Sequence, residues 1–392
     1  MIDRPDSLNL SNWRLPPHGR WAFHHVREIV PSEPIQQGEQ VAELRCYGRD
    51  AAAGLTTPGL NGASWTLQQW LEVSHTDALL VAHEGHVVHE WYADPAIEFN
   101  PHIVFSVSKS ITAILAGVLV EQGLLEPARP VIDYMPELAE SAYADASVQQ
   151  VLDMLVRLEF TEDYLATSGP FVDYRTATAW HPCGVDQIDQ NLHDFLCGLR
   201  RAEGEHGEVW QYRSPNSDLL GWILERVSGE RLARLMSERL WQPMGAERNA
   251  YITVDRKGAA RTAGGICVVP RDLLRFGELV RNRGYANHRQ VIAESWIEDC
   301  SQGGDREAWR RGESSKEFPD GRYRNKWYQT GNAHQVMLAI GIHSQWIYVN
   351  PVTEVTIVKL SAQDEPLRPD LDDINLSAFT NISALVSARA SA

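Results

Sequence analysis

Phe105-Ser106-Val107-Ser108-Lys109-Ser110 leads into the run from Ile111 to Gln122, which shows no polar face until its end. Gly123 follows, where a helix C-terminal glycine is expected. A helix that is apolar all round is a buried helix. Ser106 and Lys109 stand one turn apart at its start, so they share one face. The pattern is Ser-x-x-Lys at the mouth of a buried helix. That placement decides how the rest of the chain is read.

A serine hydroxyl is a poor nucleophile until a base takes its proton. A lysine one turn away can be that base if burial and nearby cations keep it neutral. The helix N-terminus adds free N–H groups and the positive end of the dipole, and both favour an oxyanion at Ser106. A capping serine beside a solvated lysine would look the same in four residues, so the remaining support has to come from elsewhere in the chain.

At 392 residues the chain is long enough for two domains. A formal charge of −16 argues against nucleic acid or an anionic membrane as the main partner. Thirteen tryptophans leave some available to line an apolar pocket. The five cysteines, Cys46, Cys183, Cys197, Cys267 and Cys300, are odd in number and form no Cys-x-x-Cys pair, which suits free thiols in a reducing compartment. The opening residues have neither a basic flank nor an apolar core, and no apolar run approaches a membrane span, so a cytoplasmic location is expected.

Upstream, Trp13, Trp21 and Phe23 suggest an arm that packs on the body. Residues 64–73 read as a short helix. Residues 78–82 and 86–92 read as a hairpin turning at Glu84-Gly85. His86 and His89 within it are expected on opposite faces of a strand, which argues against a metal site there. Prolines 127, 130 and 136 punctuate a helical block, with Ser147 a candidate N-cap. The pattern fades over 160–183, where the aromatic content favours an ordered lid over a cleft. Further helices are expected at 187–200, 218–227, 231–240, 270–281 and 376–388. Strands are expected at 325–330, 337–343, 345–349 and 355–360, with Asn350-Pro351 as a turn. The order predicts an α/β (α+β) fold: a sheet from both ends of the chain, flanked by helices, with an all-helical insertion. The boundaries are 1–125 with 251–392 for the sheet domain and 126–250 for the helical one.

Ser106-Val107-Ser108-Lys109, Tyr212-Arg213-Ser214 and Gly341-Ile342-His343-Ser344-Gln345 occur in an order that resembles the three signature elements of penicillin-recognising serine hydrolases of the class C β-lactamase type. Within that group the chain is most similar to 6-aminohexanoate-dimer hydrolases, through pieces such as Arg20-Trp21-Ala22-Phe23, Glu162-Asp163-Tyr164 and Thr330-Gly331-Asn332. The chain departs from the pattern at three places. Ser214 replaces the asparagine of the second lactamase motif. The third-motif lysine that attracts a penicillin carboxylate is absent near His343, which argues against β-lactamase action. Ala263 and Tyr328 stand where the nylon-oligomer enzymes have an asparagine and a tryptophan.

The resemblance implies a β-lactamase-like fold and an acyl-enzyme mechanism with Ser106 as nucleophile, Lys109 as base and Tyr212 across the cleft. It implies that Tyr212, as a phenolate stabilised by Lys109, takes or relays a proton. It places the oxyanion hole at the backbone N–H groups of Ser106 and Ile342, and substrate contacts at Tyr164, Ser214, Ala263, Tyr328 and His343. No metal or organic cofactor is required. The expected partner is a small amide or ester substrate, with a homodimer compatible. A carboxylesterase with little amidase activity, and a non-catalytic binding module on the same fold, are the alternatives.

Overall fold

The computed structural model describes residues 3–184 and 190–390. Its main sheet has seven strands: β2 (Thr76–His83), β3 (His86–Tyr92), β7 (Arg322–Arg324), β8 (Trp327–Gln329), β9 (Met337–Gly341), β10 (Gln345–Asn350) and β11 (Val355–Ser361). They run in the order β7-β8-β9-β10-β11-β2-β3, and every neighbouring pair is antiparallel. The sheet is thus closed by a pairing of the two ends of the chain, as the pattern predicts. Alternation along β2 sends Leu80 and Ala82 into one core and Leu79 and Val81 into another. The first core holds α1 (Val107–Glu121) and α6 (Pro270–Arg281); the second is covered by α7 (Pro369–Ala390) through Phe379 and Ile382.

A second sheet of β1 (Ser32–Ile35), β4 (His102–Ile103), β5 (Ala250–Thr253) and β6 (Ile266–Val268) has the order β1-β5-β6-β4. Between residues 126 and 249 the described elements are all helical: among them α2 (Val148–Leu152), α3 (Pro170–Ala177), α4 (Leu192–Cys197) and α5 (Pro215–Ser228). α5 packs directly along α1.

Helix α1 is buried along nearly its whole length. Ile111, Ile114, Leu115 and Leu119 are fully buried, and each contributes about 1.5–3 kcal/mol by leaving water. Gly117 serves a packing role: a Cβ there would come within 2.4 Å of the Trp296 ring, whose Nε1 donates to Ala113 O at 3.1 Å. The Trp296 ring thus lies flat on the helix that carries Ser106.

Several local expectations are corrected. Ser64–Thr66 is a strand, and the helix begins only at Leu67, because Thr66 and Gln69 form a reciprocal cap. The lid stretch 160–183 contains α3. The helix expected at 187–200 is observed as α4, and residues 187–189 lie outside the described residues. Asn325 and Lys326 form the turn between β7 and β8, both at positive φ (47° and 64°), where a strand was expected. A bulge between Val81 and Ala82 sets His86 opposite His83 and His89 opposite Val81. The extra residue restores parity, so these histidines share a face after all.

Candidate active site

Ser106 is the residue before the first turn of α1, and the chain reaches it through an unfavourable backbone. Phe105 has φ 43°, a left-handed conformation that is strained for a bulky side chain. Aromatic packing holds it there: its ring lies 5.0 Å from Phe23, 5.3 Å from His343 and 6.2 Å from Trp180. This sharp entry turns Ser106 toward a narrow cavity of ≈ 20 Å³.

Lys109 Nζ donates to Ser106 Oγ at 2.8 Å and to Ala263 O at 2.6 Å. The lysine is 2% exposed. Burial lowers its pKa to about 7; Glu162 and Asp218 push the other way, while Arg261 adds to the lowering. Near neutral pH a large share of it therefore carries no charge.

Tyr212 lies beside this pair. The Lys109 ammonium is 4.8 Å from its ring centroid. Burial, with the Glu162 charge, raises the Tyr212 pKa above the ordinary phenol range, against the opposing pull of Ser106 and Arg261. The phenolate expected from the sequence is therefore disfavoured; the site holds a protonated tyrosine beside a lysine that loses its proton easily. Tyr212 N and Arg213 Nη1 both donate to Glu313 Oε1 at 2.8 Å, which fixes the strand-like approach to α5.

Ser214 stands just before the first turn of α5, and its side chain makes no cap bond. Its N–H and hydroxyl both donate to the Glu162 carboxylate, and its side chain still borders the cavity. Ala263 is held from both sides: its carbonyl receives Lys109, and its N–H donates to Asp218 Oδ1 at 2.7 Å. Asp218 in turn bonds Arg261 and Tyr174. Tyr164 borders the cavity and packs edge-on against Phe171 at 5.4 Å.

Ile342 also borders the cavity. It does not lie on a strand as expected: Ile342–Ser344 form the turn between β9 and β10, with His343 and Ser344 at φ 58° and 67°. Gly341 brings this turn against the nucleophile, since a Cβ there would lie 3.1 Å from Ser106 N and 2.6 Å from Val104 O. Among the described residues no protein acceptor takes the N–H of Ser106 or of Ile342.

Two expected contact residues lie elsewhere. His343 turns away from the cavity, with Nδ1 on Gln363 O at 2.7 Å and its ring against Phe23 and Phe105. Burial lowers its pKa to about 4, so it is neutral and braces the Phe105 turn. Tyr328 belongs to an aromatic group with Trp210, Trp309 and Tyr323, adjoining Tyr212 but not bordering the cavity.

Comparison with known proteins gives the family. The Beta-lactamase family profile matches residues 71–381. The chain belongs to that family. A 6-aminohexanoate-dimer hydrolase of Paenarthrobacter ureafaciens is 35% identical over 91% of this chain and 88% of its own length. A Bacillus anthracis protein provisionally assigned as a 6-aminohexanoate-dimer hydrolase superposes with a TM-score of 0.87 over 98% of both chains, at 24% identity. A family VIII carboxylesterase superposes with a TM-score of 0.57 over 78% of this chain and 92% of its own, at 15% identity. As a member of the β-lactamase family this chain is a serine hydrolase with the mixed α/β fold that the sequence implies.

The family motifs do not reveal everything that shapes the cavity. Glu162, Arg14, Arg175 and Arg261 all border it. Glu162 stands in a stretch that resembles the nylon-oligomer enzymes, but its grip on Ser214 had no sequence signal. Arg14 comes from the N-terminal arm, far from every motif. Burial, with Arg175 and Arg261 nearby, lowers its pKa to about 9.

Proposed function

We propose that this chain hydrolyses amide or ester bonds of small linear substrates through an acyl-enzyme on Ser106. The observation that carries the reading is the buried Lys109 amine, 2.8 Å from Ser106 Oγ and with its pKa near 7. In its neutral form the amine accepts the serine proton while Oγ bonds the substrate carbonyl carbon. The N–H groups of Ser106 and Ile342 then receive the oxyanion, and losing one such donor typically costs about two orders of magnitude. The C–N or C–O bond breaks as the leaving atom takes a proton from Tyr212, which regains one from the Lys109 ammonium. Water repeats the sequence on the acyl-enzyme, with Lys109 again taking the proton. Tyr164, which borders the cavity, would hydrogen-bond a leaving amine.

The walls of the cavity favour one kind of acyl group. Arg14 has no carboxylate partner among the described residues, and Arg175 is buried with its Nε unpaired. Asp163 acts on Arg175 from nearby and Arg14 is half-buried, but neither arginine has an ion-pair partner among the described residues, and a substrate carboxylate would supply one. A p-nitrophenyl ester with a terminal carboxylate on a four- or five-carbon acyl chain should therefore exceed its neutral analogue in kcat/KM by roughly tenfold, one charge-assisted hydrogen bond. Arg175→Gln should erase the difference; no preference in the unmodified chain would remove this acyl-group reading.

The carboxylesterase reading is favoured by the shared fold with a family VIII carboxylesterase. Matched ester and amide substrates, including 6-aminohexanoate dimer, separate the two. Absence of dimer cleavage alongside ester turnover would leave the esterase. Failure of a fluorophosphonate to label the chain would leave a binding module. The lack of a lysine beside His343 supports negligible turnover of nitrocefin. Five free thiols support a reducing, cytoplasmic setting.

A further inference from the structure

Beneath the N-terminal arm lies a second group of convergent side chains that the hydrolytic chemistry does not use. His24 comes from the arm, Asp77 from the buried start of β2, and His102 from β4, four residues before the nucleophile. Asp77 and His102 are fully buried, and the His24 side chain is 8% exposed. Asp77 Oδ2 lies 3.6 Å from His24 Nε2 and 3.4 Å from His102 Nε2, and the two rings stand at 89° with centroids 4.6 Å apart. All three ligand-type atoms fall within 4.8 Å of one another.

These separations are long for hydrogen bonds between such groups. Accordingly, His24 Nε2, Asp77 Oδ2 and His102 Nε2 are each buried with no hydrogen-bond partner. Each imidazole stands within ion-pair distance of Asp77, but three inward-facing polar atoms with no hydrogen bond in one place remain expensive. The distances match a different arrangement. Ligand atoms at about 2.0–2.2 Å from a tetrahedral ion stand about 3.4 Å apart.

The surroundings fit a metal as well. His102 Nδ1 lies 2.7 Å from Ile103 O, and a carbonyl only accepts, so Nδ1 carries the proton and Nε2 offers a lone pair. Arg20 Nε donates to Asp77 Oδ1 at 3.1 Å, which orients the carboxylate and leaves Oδ2 to face the imidazoles. A cavity of ≈ 280 Å³, bordered by Arg20, Trp21, His24, Asp77, Asp94 and Asn100, opens beside the group and gives an entry path and room for a water as fourth ligand.

We infer that His24, Asp77 and His102 bind one divalent ion of the zinc class, which fastens the arm to the sheet and to the strand that leads to Ser106. The ion is structural: it is not adjacent to Ser106, and the acyl-enzyme chemistry proceeds without it. The inference does not rest on the proposed function, and its test does not read hydrolysis.

The full chain, freed of metal with a chelator, is titrated with Zn²⁺ by calorimetry and with Co²⁺ by visible spectroscopy. One ion per chain is expected, with the absorption of four-coordinate cobalt and a rise in melting temperature at saturating Zn²⁺. His24→Gln, at the edge of the cavity, should lower affinity at least about tenfold, as loss of a metal-supporting group does. His102→Gln should do the same, and His86→Gln, on the outer hairpin, should change nothing. Substoichiometric binding by the unmodified chain, or unchanged affinity in His24→Gln, overturns the inference. Should His102→Gln fail to fold, those two measurements decide alone.

Discussion

Two lysines in this molecule share an environment, yet the structure puts them to different uses. Lys109 and Lys359 are both buried, burial lowers both pKa values to about 7, and both donate to serine hydroxyls. Lys109 reaches Ser106 at 2.8 Å; Lys359 reaches Ser361 at 2.6 Å and Ser344 at 3.1 Å. The differences lie around them. Ser106 borders a cavity, follows a strained residue and faces a turn with an unclaimed N–H. Ser344 instead receives Trp346 Nε1 and Asn375 Nδ2, and it is buried in the turn between β9 and β10. A depressed lysine next to a serine is therefore not a nucleophilic pair by itself. Access and a place for the oxyanion make it one.

The largest expected effect tests which serine reacts. Ser106→Ala should lower kcat by roughly 10⁴-fold or more while the far-ultraviolet spectrum is unchanged. Mass spectrometry after fluorophosphonate treatment should place one adduct on Ser106. An adduct on Ser344 or Ser361 would reverse the comparison.

Replacing the lysines should sharpen it. Lys109→Met should cost about 10²–10⁴-fold in kcat, the usual worth of a positioned base. Lys359→Met should leave kcat within about threefold but lower the melting temperature, because Ser344 and Ser361 lose a donor and the half-buried Asp372 loses a compensating charge. Steady-state kinetics and thermal unfolding of both variants provide the check. Equal kinetic losses would mean that Lys359 acts on the site.

Leaving groups discriminate more finely. Tyr164→Phe should lower kcat/KM on 6-aminohexanoate dimer by roughly tenfold and change ester turnover little, as loss of one transition-state hydrogen bond would. Equal losses on both substrates would take Tyr164 out of the leaving-group role.

The smallest effect is in the pH profile. In the proposed mechanism Lys109 is a base when unprotonated, so kcat/KM should rise with pH through about 7 and level off above it. Burial lowers the folded-state pKa below the unfolded lysine value. The unfolded chain thus binds more protons between about 7 and the ordinary lysine range, and stability should also rise with pH in that window. A flat profile from pH 6 to 8 would contradict the lowered pKa.

Much of this was legible because it is local. The apolar period of α1, the Ser-x-x-Lys spacing and the strand alternation at both chain ends all lie in short windows, and the resulting α/β fold agrees with the family match. What was not legible depends on long-range geometry or on single residues with unusual backbone. Nothing local marks Arg14 as a wall of the cavity, or His24, Asp77 and His102 as neighbours. The turns at Asn325-Lys326 and His343-Ser344 lack glycine, so they read as strand until tertiary contacts hold them at positive φ. The bulge at Val81 reverses the parity on which the reading of His86 and His89 depended.

The pairing of β2 with β11 also has a consequence in time. Ser106 leaves the ribosome early, but the edge it needs, with Gly341 and Ile342, is made late, and the sheet joining them closes only after Val355–Ser361 has emerged. Translation proceeds at about 5–20 residues per second, so the nascent chain carries Ser106 for many seconds before Gly341 and Ile342 can stand beside it. Ribosome-bound chains that stop short of β11 should be inert toward a fluorophosphonate, and reactivity should switch on only once Val355–Ser361 has emerged. The same topology ties hydrolysis to the residues of β11, about 250 positions after Ser106.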